Sequence, residues 1–177
     1  MANKLEPNFH FRLMSLTYKL RDFFSPRINI LKEAEIQKGF HVLDFGCGPG
    51  SYIIPLADLV GPAGKIYALD MHPLAIQMVA MLASKKGLAN VTTIYSNCQT
   101  GLPEQSLDVV LLYDVFHDLD ERQKVLRELH RVSKPGGILS FSDHHLRDND
   151  IVSGLTEAGL FRLIQKGQKT YSFQKII

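Results

Sequence analysis

Three glycines alternate with single residues in Gly46-Cys47-Gly48-Pro49-Gly50, directly after the apolar run Val42-Leu43-Asp44-Phe45. A stretch of this kind suits one task, holding a polar ligand against bare backbone. Glycine reaches positive φ without strain and has no Cβ to keep a ligand away. Val42, Leu43 and Phe45 fit a short buried strand. The spacing of Ile53, Ile54, Leu56, Ala57 and Val60 predicts a helix just beyond the loop. The glycines therefore sit at a helix N-terminus, where unpaired N–H groups point outward. Four further clusters carry groups with chemistry: Asp70-Met71, Ser96-Asn97-Cys98-Gln99, Tyr113 to Asp118 with His117, and Ser142-Asp143-His144-His145.

Each cluster closes a predicted strand. The pattern reads as strands over 40–45, 65–69, 91–96, 107–113 and 137–142, separated by helices over 51–60, from Pro73 to Gly87, and after Asp120. Asp120 with Gln123 has the spacing of a capping box. A helix over 148–158 leads into a pair of strands, 161–166 and 170–176, that reads as a hairpin. Ahead of this core, an amphipathic helix is predicted over 9–24 and a second from Ser25-Pro26 to about 37. Alternating strands and helices make a mainly parallel, doubly wound sheet. In such sheets ligands bind at the carboxyl ends of the strands, which is where all five clusters fall. No repeat or linker divides the chain. One domain is expected over 1–177, an N-terminal helical segment (1–37) followed by a cofactor-binding core (38–177).

The 177 residues suffice for one three-layer core. Apolar runs are too short to cross a bilayer, and the first residues lack the apolar stretch of a signal peptide, so a cytoplasmic protein is expected. Two cysteines make neither a disulfide framework nor a zinc cluster, and no metal is expected. The net charge of +2 gives no reason to expect nucleic acid. It is unevenly spread, because residues 1–32 carry six Lys/Arg against Glu6 and Asp22. That segment either steers an anionic substrate or is simply a solvated helix face.

The spacing separates the cofactors. A dinucleotide loop reads G-x-G-x-x-G, whereas here the third glycine comes one residue early, which disfavours a nicotinamide oxidoreductase. The pattern Asp44-x-Gly46-Cys47-Gly48-x-Gly50 instead resembles the first motif of class I S-adenosylmethionine-dependent methyltransferases, and the likeness runs from about residue 25 to the C-terminus. That resemblance implies a Rossmann-like methyltransferase fold: an α/β, seven-stranded, mainly parallel sheet with an antiparallel C-terminal hairpin strand. It also implies S-adenosyl-L-methionine as cofactor. Asp44, Gly46, Cys47, Gly48 and Gly50 then lie against its methionine part. Asp70 accepts hydrogen bonds from both ribose hydroxyls; its alternative is a helix cap. Met71 packs on the adenine or in the core. Asn97 stands where related enzymes often have an aspartate for the adenine amine, or else forms a turn. Cys98 would contribute its N–H.

Residues 111–118 are similar to the small-molecule methyltransferases of ubiquinone and menaquinone biosynthesis, with an aromatic or apolar residue followed by histidine. Tyr113 falls at the boundary between cofactor and acceptor. His117 is the candidate base for an acceptor hydroxyl, or a structural loop histidine. His144 and His145 either line the acceptor site, hold a metal or only shape their loop. The prolyl-prolyl-aromatic motif of nucleobase-amine methylation is absent, and two cysteines inside cofactor motifs disfavour arsenite and cytosine carbon-5 chemistry. The expected activity is methyl transfer to a small molecule. A non-catalytic cofactor-binding subunit and a protein or RNA methyltransferase are the alternatives, and a homodimer stays open. The N-terminal helix is expected to bury Phe9, Leu13, Leu16 and Leu20 over the strand ends, as a wall of the acceptor pocket.

Overall fold

The computed structural model describes residues 8–24 and 27–177. The strands are β1 (His41–Phe45), β2 (Lys65–Asp70), β3 (Val91–Tyr95), β4 (Leu107–Tyr113), β5 (Ser133–Ser142), β6 (Phe161–Lys166) and β7 (Tyr171–Lys175). They form one sheet in the order β3-β2-β1-β4-β5-β7-β6. β1 to β5 pair in parallel, and β7 runs antiparallel to both β5 and β6. The helices are α1 (Asn8–Phe24), α2 (Ile28–Leu31), α3 (Ile53–Val60), α4 (Pro73–Lys86), α5 (Arg122–Val132) and α6 (Asp148–Thr156).

Strands buried on both faces must be apolar at nearly every position. β4 meets this requirement: Val109, Leu111 and Tyr113 pack with α2, α3 and α4, while Val110 and Leu112 pack with α5 and α6. In β1, Val42 faces the first helical layer and Leu43 and Phe45 the second. Asp44, two positions after Val42, is thus carried to the α2–α4 side. The chain leaves β1 towards β2 and β3, then returns to its other flank as β4. This reversal opens a crevice at the carboxyl ends of β1 and β4.

Three local expectations change. The α2 helix stops at Leu31 and passes through a 3-10 turn, Lys32–Ala34, to Glu35 in the left-handed region at φ 51°. Tertiary bonds outweigh helix propensity here: the Glu33 carboxylate accepts from Lys169 N, Thr170 N and Thr170 Oγ1 at 3.1, 2.9 and 2.9 Å, fixing it to the β6–β7 turn. The Ser25-Pro26 cap lies outside the described residues. The Asp120–Gln123 capping box does not form; α5 starts at Arg122 after Glu121, with no side-chain cap. Arg122 instead donates to the carbonyls of Phe116 and His117, each at 3.0 Å, closing the short turn Phe116–Asp118.

The third change concerns α1. Its inward face carries Phe11, Met14, Ser15 and Tyr18, with Phe11 3% and Ser15 5% exposed. Phe9, Leu13 and Leu16 point outward and are 73%, 55% and 60% exposed. The Leu20 side chain lies outside the described set. The helix does cover the strand ends, but with the opposite stripe from the one expected.

The α5 helix is anchored by a buried polar knot. Glu128 accepts from Thr100 N and Thr100 Oγ1 at 2.9 and 2.6 Å and from Arg131 at 2.7 and 2.8 Å. Arg131 foremost, and then Thr100, hold its carboxyl down to about 2 against the cost of burial. The contribution is complete above pH 4.5 and fades as pH falls towards 2. Glu128→Ala is expected to lower folding stability by about 3 kcal/mol, because it leaves a buried Thr100 N–H unpaired and leaves Arg131 with the Leu102 carbonyl, at 2.9 Å, in place of a carboxylate. Glu128→Gln should recover part of that loss; thermal melts of both variants at pH 7 check it.

Candidate active site

The glycine loop is pinned before it can hold anything else. Gly46 N and Cys47 N both donate to Leu69 O of β2, at 2.8 and 3.0 Å. Gly46 has φ 79°, and a Cβ there would lie 2.8 Å from Val115 Cγ2, so only glycine lets the loop approach the segment after β4. Gly48, at φ 50°, faces open space. Its N–H donates to Asp70 Oδ2 at 2.8 Å, while His72 N donates to Asp70 Oδ1 at 2.7 Å. Asp70 thus clips the loop after β1 to the start of α4. There, His72 Nδ1 accepts from Leu74 N at 3.2 Å and Pro73 occupies the first turn. Burial pushes the Asp70 carboxyl up, and the two N–H donors only partly offset it.

These elements frame a cleft of about 450 Å³. Its floor is Gly46, Cys47, Gly48 and Pro49, one side is Asp70, Met71 and His72, and another is Tyr113, Asp114 and Val115. Phe11, Met14 and Tyr18 of α1 roof it, with Phe11 stacked on the His72 ring at 4.2 Å and 11°. Tyr52 meets Tyr113 edge to face at 5.2 Å. The Tyr113 hydroxyl is spent on Ser140 Oγ at 2.7 Å, and burial drives its phenol strongly upward, so it serves as wall and not as acid or base.

Asp44 lies beneath this floor. It is 2% exposed and its Oδ2 has no hydrogen-bond partner. Burial foremost, then the charge of Asp70, raises its carboxyl to about 7. Its own charge is felt at Cys47, Tyr52 and Tyr113, which line the cleft.

The other expected residues are placed differently. Asn97 is exposed and does not reach the cleft. Cys98 packs into the α5–α6 side of the core, and its N–H donates to Ser96 Oγ at 3.2 Å instead of facing a ligand. His117, His144 and His145 stand behind the cleft wall as one group, the His145 ring lying 4.1 Å from that of His117 and 3.9 Å from that of His144, tilted at 38° and 41°. His117 Nδ1 lies 2.9 Å from Asp143 Oδ2 and Nε2 lies 3.2 Å from Asp118 Oδ2. Burial pushes Asp143 up, but bonds from the His117 side chain and from the N–H groups of His117 and His145 more than offset it, leaving the carboxyl below its usual range. His144 Nδ1 pairs with Asp114 Oδ1 at 2.8 Å. Among the described residues, no three such side chains are arranged to hold a metal ion. Sequence reading missed Phe11, Met14, Tyr18, His72 and Asp114. Only His72 had a local signal, a side chain able to cap before Pro73.

A family model described as a methyltransferase domain matches residues 36–175. The chain belongs to that family. It is a class I S-adenosylmethionine-dependent methyltransferase domain by membership. It is 34% identical over 130 residues to a demethylmenaquinone methyltransferase of Geobacillus stearothermophilus, covering 73% of this chain and 56% of that protein. To the protein so named in Listeria monocytogenes serotype 4a it is 30% identical over 141 residues, covering 79% and 59%. The chain therefore spans little more than half the length of these curated relatives. A SAM-dependent methyltransferase from Aquifex aeolicus superposes with a TM-score of 0.74 at 28% identity, covering 84% of this chain and 88% of that one.

S-adenosyl-L-methionine is the cofactor this membership implies, and the domain's residues suit it. An orphaned buried carboxylate oxygen next to cleft-lining residues suits a cationic amino group. Asp70 can still accept from ribose hydroxyls, because its two oxygens offer about four lone-pair sites and the N–H groups of Gly48, His72 and Met71 do not use them all. Gly48 leaves open space where a Cβ would intrude.

Two predictions follow from the carboxylates. Between pH 3.8 and about 7 the folded, ligand-free domain binds more protons at Asp44 than the unfolded chain does. Its stability therefore falls as pH rises through that window, by on the order of 4 kcal/mol at most. Asp44→Asn should melt higher than wild type at pH 8 and close to it at pH 5. A cationic ligand favours the charged carboxylate, so S-adenosylmethionine affinity should rise from pH 6 to 8 in wild type and stay flat in the variant, as read by calorimetry. Asp70→Ala should lower cofactor affinity on the order of 100-fold and stability by about 2 kcal/mol, since it also unclips Gly48 and His72. Unchanged affinity would remove Asp70 from the site.

Proposed function

We propose that this chain transfers the methyl group of S-adenosyl-L-methionine to a small aromatic acceptor bearing a ring hydroxyl, of the quinol class. The observation that carries the reading is the roofed cleft: a glycine floor and Asp70 on one side, an aromatic and apolar roof of Phe11, Met14 and Tyr18 on the other. A volume of about 450 Å³ beneath a helix admits a small ring and gives a folded macromolecule no approach. The relatives named demethylmenaquinone methyltransferase support the same acceptor class.

Bound S-adenosyl-L-methionine supplies an electrophilic methyl carbon that needs no further activation. What the chain must add is alignment and exclusion of water. The glycine loop and Asp70 fix the donor end. Tyr52, Tyr113, Val115 and Leu119 give apolar surface on which a ring can lie flat. A ring hydroxyl that accepted the methyl group would have to give up its proton. Asp118 lines the cleft and can accept that proton, and the His117 ring 3.2 Å behind it can take the proton on. Asp143, its side chain wholly buried, orients the ring from the far side through Nδ1. His117 thus acts through Asp118 and does not face the acceptor itself.

The test is methyl transfer to 1,4-naphthohydroquinone, with transfer RNA and unfolded protein as competing acceptors, read by product mass. Methylation of the ring alone supports the proposal; methylation of either polymer alone overturns it. His117→Gln and Asp118→Asn should each slow transfer on the order of 100-fold while leaving cofactor affinity within about twofold. A full rate in both variants would remove the proton path.

A further inference from the structure

The helix α1 has two apolar faces, and only one of them packs on the protein. Phe11, Met14 and Tyr18 close the cleft. On the opposite side Phe9, Leu13 and Leu16 follow one another at intervals of four and three residues, which sets them in one row along the helix. All three are more than half exposed. The same spacing continues to Leu20 in the sequence. Large apolar side chains gathered in one exposed row mark a surface that something covers.

The charges beside the row indicate what that is. Arg12 is exposed on one flank and His10 on the other. Lys19 follows Arg12 by about two helical turns, on the same side of the helix by its spacing. Asp22 is the one acid in α1. It is committed to Arg21 and Arg27, at 2.9 and 3.2 Å. Among the described residues, the exposed side of α1 therefore carries basic groups and no carboxylate. An apolar row edged by basic side chains fits an anionic bilayer surface, where hydrocarbon enters between the headgroups and Arg or Lys reaches back to the lipid phosphates. A second copy fits worse, because a two-fold contact sets each basic flank against another. No helix among the described residues is long and apolar enough to cross a bilayer, so contact through this row runs along the surface.

We propose that the outward row of α1 docks the chain on anionic lipid, with the helix in the plane of the interface and Phe9, Leu13 and Leu16 below the headgroups. The inward row stays on the cleft, so the roof of the site and the lipid contact are two faces of one helix. This docking does not depend on which acceptor the site methylates.

The experiment titrates the full chain with vesicles of phosphatidylcholine alone and of an equal mixture of phosphatidylcholine and phosphatidylglycerol. Sedimentation reads binding. The chain has no tryptophan, so Phe9→Trp reports the row by its fluorescence, and Ile164→Trp, exposed on the edge strand β6, reports a distant face. Wild type should sediment with the mixed vesicles and not with phosphatidylcholine, and raised salt should loosen it. Emission should shift to the blue in Phe9→Trp and stay unchanged in Ile164→Trp. Leu13→Glu should weaken binding at least about tenfold and Arg12→Gln about fivefold, while Leu13→Phe binds like wild type. Unchanged cofactor affinity shows that these variants fold, and the fluorescence of Phe9→Trp decides if they do not. Failure to bind the mixed vesicles, equal binding to both kinds, equal binding by wild type and Leu13→Glu, or a blue shift at Ile164→Trp instead of Phe9→Trp overturns the proposal. So does a dimer that ignores vesicles and that Leu13→Glu dissociates, since the row then belongs to a second copy.

Discussion

The site depends on one carboxylate at the end of β2. Asp70 receives Gly48 N from the loop after β1 and His72 N from the start of α4, and its own carbonyl receives Ser96 N from the end of β3. Three strand ends are thereby held in one register. Parallel pairing aligns β1, β2 and β3 along their lengths, but it says nothing about the loops that leave them. Without the Asp70 clip, the glycine loop would keep its bonds to Leu69 O and its own turn from Gly50 N to Cys47 O, but would lose its tie to the start of α4. The ligand-binding shape is therefore made by a side chain that is itself expected to touch the ligand. Stability and binding are coupled at this residue, and a variant there changes both.

Asp44 shows the complementary constraint. A carboxylate with an unpaired oxygen, next to a second carboxylate, is a burden on the folded domain when charged. The sheet places it there because position 44 alternates with Val42 onto the α2–α4 face, at the very end of β1. An apolar residue would pack better in the ligand-free state. A charge that is costly alone and satisfied by a cation makes a selective receptor, since the ligand recovers what folding gave up. The same charge bears on the neighbouring Tyr52 phenol, which burial raises to about 12 despite the Arg27 guanidinium beside it. Both tyrosines therefore stay neutral and give the cleft an uncharged aromatic side.

The fold and the loop geometry of the candidate site were legible in the sequence because their signals are local. A strand, a glycine-rich turn and a helix follow one another within twenty residues (41–60), and Asp70 ends the next strand. The roof was not legible. In α1, Phe9, Leu13 and Leu16 form one row at helical spacing, and Phe11, Met14, Ser15 and Tyr18 form another. Periodicity identifies the helix but not which row meets the protein. The aromatic pairing of Phe11 with His72 decides it, and that partner lies sixty-one residues away. Cys98 misled for a related reason. Its place at a strand end suggested a ligand contact, whereas Ser96 Oγ takes its N–H within two residues.

The histidine group shows what placement does to chemistry. A histidine close to a cleft invites the role of base, and His117 stands at the right strand end. Its ring nitrogens, however, face Asp143 and Asp118 at 2.9 and 3.2 Å. So held, the ring acts behind Asp118 in the proposed path and does not meet the acceptor itself. Asp118 is the exposed member of the pair, with a side chain 77% accessible, while Asp143 has none. In the proposed path, solvent and acceptor would both meet this group at Asp118, and its buried end is fixed by the two N–H donors that hold Asp143. On the proposed path, a proton held by this group returns to solvent at the exposed Asp118 end and not through the buried Asp143.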